Sequence, residues 1–345
     1  MLFLGQNPIV EKLTLVVVQY PICTPEYHQT KGDNLSQIHS KIEKIRVNMR
    51  DNIYVEVYLL RGEQIILIDT GIAPGLDTDL VPTLRAIGLD LSDIDLVINT
   101  HGHPDHIGGN ARIKAASGAE VWIHSEDAPF LNDRERVFEL YSKPVLEAMG
   151  KDTETEKQMS TIMSGPLVSP DRKIEDGTII DGGKGLKLQT IHLPGHSLGS
   201  VGFFWEKEGV LFLGDSIPGL HTGGGMLPFI MDLENYRKSL RRVQELHPSM
   251  LFCGHPYRGI TLAPASVRLG KEVNQFLGES LEFAERLDEA IAVVSLRREG
   301  KSFVDLCDDV IGHLPKEMAF TPMAQTDAFF LSAQAIFFRL YPLRM

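Results

Sequence analysis

The sequence predicts an α/β fold: a sandwich of strands and helices followed by a C-terminal helical extension. Three features carry that prediction. Strand-like apolar runs fall in two groups, one between residues 42 and 69 and the other between 186 and 255. Strand and helix signals alternate between residues 81 and 124, and beyond Pro264 only helical spacing remains. With 345 residues, 43% of them apolar, the chain has material for a sizeable core.

The first group reads as a small antiparallel meander. IEKIRVNM, IYVEVYLL and QIILIDT are β-like, and the intervening Arg-Asp-Asn and Arg-Gly-Glu are turn chemistry. From residue 81, VPTLRAIGL has helical spacing, DIDLVINT is a strand, IGGNARIKAAS is helical and AEVWIH is a strand again. Residues 125–165 read as a helical insertion carrying Val145, Met149, Met159 and Met163, with no strand-like run. Strands resume with LKLQTIHL, VGFFWE, VLFLGD and MLFCGH, the last two separated by a helix at NYRKSLRRVQELH. Past Pro264, Leu269, Val273, Phe276, Leu277, Leu281, Ala284, Leu287, Ile291 and Val294 keep helical spacing over about seven turns. Ser302 with Asp305 marks a capping box for FVDLCDDVIGH, and AFFLSAQAIFFRL supplies a further helix. The expected organisation is an N-terminal extension over 1–41, a sandwich domain over 42–261 and a helical domain over 262–345.

Composition narrows the function classes. The formal charge is −12, and the basic residues are scattered, with no run longer than the Arg-Arg pairs at 241 and 297. Nucleic acid is therefore not an expected partner. The stretch LTLVVVQYPI is too short to span a bilayer and follows Glu11 and Lys12 rather than a basic leader, so it reads as a strand. No membrane partner is expected. Cys23, Cys253 and Cys307 form no CxxC pair and leave an odd count, which fits reduced thiols and a cytoplasmic location.

The chemistry concentrates in INTHGHPDHIGG, residues 98–109, where His101 and His103 end a strand and Asp105 and His106 occupy the turn into a helix. Clustered imidazoles and a carboxylate suit a borderline cation such as zinc, and Gly108 and Gly109 permit close backbone packing where the helix begins. Three further strand ends carry a ligand-type residue beside glycine: His196 in LPGHSLGS, Asp215 in LFLGDS and His255 in LFCGHPY. LIDTG ends another strand at Asp69.

These motifs resemble the metallo-β-lactamase superfamily over about residues 42–260. The resemblance implies a four-layer αββα sandwich with two divalent metal ions at one edge, zinc first, with iron or manganese as alternatives. By resemblance His101, His103 and His196 hold the first ion, Asp105, His106 and His255 hold the second, and Asp215 bridges them. Asp69 resembles the superfamily's aspartate that supports the ligand loop without binding metal. Two such ions lower the pKa of a shared water toward ~7, so a bridging hydroxide can attack a polarised carbonyl. Asp105 is the expected catalytic carboxylate, holding the nucleophile's proton.

Neither GHS nor GDS fits a nucleophile elbow, and Cys253 on its apolar strand reads as a core thiol. His221, in the glycine-rich PGLHTGGGMLPFIMD, and Tyr257, just after the last ligand, are candidate substrate residues, each with an ordinary structural alternative. His124 and His192 match no motif and read as structural. Met149, Met159 and Met163 are candidates to line a lid, although stripes at helical spacing usually mean core. A dimer interface is the competing use of these helical additions, given Phe329, Phe330, Phe337 and Phe338.

The expected partner is a small-molecule carbonyl compound, a thioester or lactone/ester with an apolar acyl portion. Two other classes remain open: a metal-binding effector or sensor with incidental hydrolysis, and an iron-dependent redox or oxygenase function on the same scaffold.

Overall fold

The computed structural model describes residues 39–50, 53–221, 225–323 and 333–341. The run LTLVVVQYPI, Cys23, Phe329 and Phe330 lie outside the described residues. Twelve strands form two six-stranded sheets. The first contains β1 (Ile42–Arg50), β2 (Ile53–Arg61), β3 (Ile65–Ile68), β4 (Leu96–Ile98), β5 (Glu120–His124) and β6 (Arg172–Ile174), in that spatial order. The second runs β12-β11-β10-β9-β8-β7, from β7 (Ile179–Gly183), β8 (Leu186–His192), β9 (Val201–Trp205), β10 (Val210–Gly214) and β11 (Met250–Tyr257) to β12 (Ala265–Leu269). Each sheet is antiparallel at the meander and parallel where helices intervene, as at β3-β4-β5-β6 and β10-β11.

Side-chain alternation along the strands explains the layering. On β10, Val210 and Phe212 face the other sheet while Leu211 and Leu213 face outward, and β3 divides Ile66 and Ile68 from Leu67 in the same way. Both faces of each central strand are therefore buried. One apolar cluster, with Tyr58, Trp205, Phe212 and Phe252, fills the space between the sheets. A second packs the outer face of the first sheet against α1 (Val81–Ala86), α2 (Pro104–Ile107) and α3 (Asn110–Ser117). The third covers the outer face of the second sheet. There it meets α8 (Leu233–Leu246), α9 (Lys271–Ser295), α10 (Phe303–His313) and α11 (Gln334–Leu340). This is a four-layer αββα sandwich with helical additions at its C-terminal end.

The insertion contains α4 (Pro129–Asn132), α5 (Arg134–Val137), α6 (Lys143–Ala148) and α7 (Thr153–Ser164). Four departures from the sequence reading stand out. β6 and β7 precede the run expected to reopen the strands. Leu269, read as the first residue of the long helix, ends β12, and α9 starts at Lys271. β12 pairs antiparallel with β11, so the second sheet continues beyond the boundary expected at 262. The buried faces of α9 and α10 belong to the same cluster as the sheet rather than to a separate core. The capping box is present: Asp305 N–H donates to Ser302 Oγ and Ser302 N–H to Asp305 Oδ2. No described helix is long and apolar enough to cross a membrane.

Candidate metal centre

β4 stops at Ile98, and the chain leaves the sheet through Asn99 and Thr100 into His101–Gly102–His103. It then turns into α2, whose first turn carries Asp105 and His106. The second sheet supplies His196 from the β8–β9 connection, Asp215 directly after β10, and His255 inside β11. The β11 ladder is irregular between Phe252 and Tyr257, so the strand continues past the ligand expected at its end.

These residues form two sets. His101, His103 and His196 each bring one ligand atom to within 4.8 Å of the others, and Asp105, His106, Asp215 and His255 do the same. The Nε2 atoms of His101 and His196 are 3.2 Å apart. Asp215 Oδ2 lies 3.3 Å from His106 Nε2, 3.4 Å from His255 Nε2 and 3.8 Å from His196 Nε2, so one carboxylate joins both sets. His255 Nε2 also approaches Asp105 Oδ2 at 3.1 Å.

Three ring nitrogens that point away from the centre meet acceptors of fixed position. His196 Nδ1 meets the Phe229 carbonyl at 2.6 Å, His255 Nδ1 meets the Tyr54 carbonyl at 2.6 Å, and His106 Nδ1 meets Asp69 Oδ2 at 2.8 Å. A proton donated from Nδ1 leaves the Nε2 lone pair aimed inward, as ligation requires. Asp69, held at φ 60°, also accepts from Thr100 N–H at 2.8 Å and Thr100 Oγ1 at 2.7 Å. The Thr100 hydroxyl oxygen in turn lies 3.1 Å from His101 Nδ1.

Electrostatics separate the two sets. Burial drives His101 well below the ordinary histidine range, His103 down to about 4 and His196 to about 3, so all three are neutral with lone pairs available. Burial acts in the same sense on His106 and His255, but their carboxylate neighbours, Asp215 foremost, outweigh it. They hold His106 well above its ordinary value and His255 at about 10. Burial alone would raise Asp105, yet His106 and His255 hold it at about 2.

Two atoms at the junction, His106 Nε2 and Asp215 Oδ1, are buried without a hydrogen-bond partner. Such atoms are costly, and a divalent cation is the partner that this mixture of imidazole and carboxylate donors fits.

The centre lies at the wall of a cavity of about 520 Å³ lined by His103, Asp105, His196, Asp215 and His255. The insertion contributes Phe130, Val137, Phe138, Met159, Ile162 and Met163 to this cavity, whereas Gln334 alone of the described tail reaches it. His221 and Tyr257 line it too. The His221 backbone adopts φ 71°, and its ring packs on Phe229 at 5.3 Å. Tyr257 is buried beside Asp215, and burial with that carboxylate keeps its phenol protonated. Met149 does not line the cavity; it packs against the cluster beneath the second sheet.

His124 and His192 stack on each other at 4.2 Å and belong to neither set, and His192 Nε2 pairs with the Leu198 carbonyl. Cys253 is buried, and burial pushes its thiol up to about 12. The sequence reading missed Asp127 and Arg134. Arg134 donates to the carbonyls of Phe130, Ser164, Gly165 and Pro166, fastening the start of α5 to the end of α7.

The metallo-beta-lactamase superfamily profile matches residues 50–255, more than half of the chain. The chain belongs to the metallo-beta-lactamase superfamily. Among superfamily relatives, the probable metallo-hydrolase YqjP of Bacillus subtilis is 30% identical over 218 residues, 58% of this chain and 66% of that one. A hydroxyacylglutathione hydrolase of Methylococcus capsulatus is 26% identical over 254 residues, 72% of this chain and 75% of its own. The match to the corresponding hydrolase of Hyphomonas neptunium spans about half of that protein, 49%. A metallo-beta-lactamase family protein from Thermus thermophilus shares the fold with TM-score 0.63 at 22% identity, covering 88% of this chain and 94% of the other.

Proposed function

We propose that this protein is a dinuclear metal-dependent hydrolase, with zinc the first candidate, that cleaves a carbonyl compound of the thioester or lactone/ester class. One observation carries the reading: two ligand sets share Asp215 at the wall of a cavity that Phe130, Phe138, Met159 and Ile162 line beside polar groups such as Arg134, Lys151 and Glu156. When two divalent cations are bound there, they supply a nucleophilic water of lowered pKa and polarise the carbonyl. His101, His103 and His196 would hold one and Asp105, His106 and His255 the other.

The chain's own residues do the remaining work. Asp105, a carboxylate throughout the neutral range, accepts the proton of the attacking water. Tyr257, protonated and facing the cavity, donates a hydrogen bond to a developing oxyanion. Phe130, Phe138, Met159 and Ile162 offer an apolar acyl group a surface to pack against. The hydroxyacylglutathione hydrolases among the relatives favour a thioester over a lactone.

The test joins elemental analysis of metal-buffered protein to turnover of matched thioesters, esters, lactones and a β-lactam. About two metal equivalents and a preference for the thioester are expected. A single equivalent would defeat the dinuclear reading. Oxygen consumption with iron, or binding of carbonyl compounds without cleavage, would point to the redox and effector classes instead.

A further inference from the structure

We infer that Asp127 is a positioning residue that presets the His101–His103–His196 set and fastens it to the helical insertion. The inference rests on the metal reading proposed above.

Asp127 ends the single turn Ser125–Asp127 after β5 and is fully buried between the two ligand loops. Its Oδ2 accepts from the backbone N–H of Gly102, the residue between His101 and His103, at 2.8 Å. The same oxygen accepts from Oγ of Ser197, the neighbour of His196, at 2.7 Å. Its Oδ1 accepts from the Gly199 N–H at 2.7 Å. Ser200 Oγ continues the network, 2.7 Å from Ser197 Oγ and accepting from Ser197 N–H at 3.0 Å. One carboxylate thus holds the flanks of all three ligands of the first set. The second set is braced elsewhere, from His106 to Asp69 and from His255 to the Tyr54 carbonyl.

A second observation is independent of the hydrogen bonds. A Cβ on Gly199 would stand 2.6 Å from Asp127 N and Oδ1, and one on Gly102 would stand 2.4 Å from Phe130 Cβ. The first residues of the insertion therefore press directly on both ligand loops, and neither loop has room for a side chain there. Buried bonds to a charged acceptor are directional, so they fix where the imidazoles stand before any cation arrives. The metal ligands and the cavity wall built by Phe130 consequently share one anchor.

Two single-set backgrounds test this with zinc alone as the probe. His255→Ala leaves the first set intact, and His196→Ala leaves the second. Adding Asp127→Ala to the His255→Ala background should weaken zinc affinity by ~10–100-fold in competition with a chelator, the usual size of an outer-carboxylate loss. In the His196→Ala background the same change should leave affinity within about threefold. Equal losses in both backgrounds, or none in either, would overturn the inference.

Should Asp127→Ala fail to fold, Asp127→Asn keeps the shape and one acceptor oxygen, and a smaller loss confined to the first set is expected. A metal-free readout separates this inference from the reading it rests on. In apo protein, Asp127→Asn should speed hydrogen exchange by more than about tenfold, relative to core strands, at whichever of the Gly102 and Gly199 amides comes to face the new NH2 group instead of an oxygen. Unchanged exchange there sinks the positioning role, whereas absence of tight zinc binding in the unaltered protein sinks the metal reading.

Discussion

Asp69 serves three donors at once, Thr100 N–H, Thr100 Oγ1 and His106 Nδ1, from a left-handed backbone position that aspartate tolerates better than most residues. Asp69→Ala would orphan these groups in a buried place, each at a cost of about 1–3 kcal/mol, and release the His106 ring. The expected result is ~10–100-fold weaker metal retention with every ligand still present. Chelator competition measures it, and unchanged affinity would make Asp69 an ordinary turn residue. The histidines supply a pH prediction for the metal-free protein. His101, His103 and His196 are held below 6.5, so unfolding takes up protons and stability falls as pH drops from 6.5 toward about 4 and 3. His106 and His255 are raised, so their contribution is complete below 6.5 and disappears as pH climbs through their folded values, about 10 for His255. As far as these five groups decide, stability peaks near pH 6.5. On the proposed metal reading, incoming zinc displaces the protons of His106 and His255, so calorimetry near pH ~7.5 in buffers of different ionisation heat should record their release. Release near zero would mean that both rings are already neutral. The two clusters were legible in sequence because cation chemistry admits few side-chain types and the HxHxDH spacing confines four of these residues to positions 101–106. Asp127 was not, because an aspartate after a strand has the ordinary signature of a turn, and its partners lie 25 to 72 residues away.

The insertion shows what periodicity conveys and what it misses. Helical spacing correctly signalled α6 and α7, yet it could not say which methionines face inward. Met149 joins the core, while Met159, 47% exposed, stands over the cavity. That exposure makes Met159→Gln a clean probe, since little packing is lost. The expected outcome is a change of about tenfold in the preference between long and short acyl substrates, with metal content and melting temperature unaltered. Equal effects on all substrates would remove Met159 from recognition. Three strands escaped the sequence reading for a related reason. β6 and β12 have only three and five residues, too few to display a period, and β7 ends in glycines. In β12 the exposed Leu269 happened to fall in register with the apolar stripe of α9, so the helix seemed to begin early.

At the scale of the whole molecule the question is whether the tail is a separate body. Phe276, Phe283, Ala284, Leu287, Phe303 and Val310 are buried in the cluster that also contains Leu211, Leu213, Leu251 and Cys253 of the second sheet. Phe338 belongs to that cluster, and Phe337 packs on Phe303 at 5.5 Å, so both described members of the aromatic run have partners within the chain. Sharing a core predicts that sheet and tail unfold as one cooperative unit, because neither can open without exposing the apolar face of the other to water. Phe276→Ala tests this from the tail side. Its ring is fully buried, packs under the Arg268 guanidinium at 5.4 Å, and should cost about 3–5 kcal/mol on truncation. If the unit is single, that loss lowers the urea midpoint equally for the fluorescence of Trp205 and Trp122, which both pack in or against the cluster between the sheets, and for helical circular dichroism. Two separated transitions, with the tryptophan signal unmoved and only the helical signal shifted, would instead make the tail an independent domain.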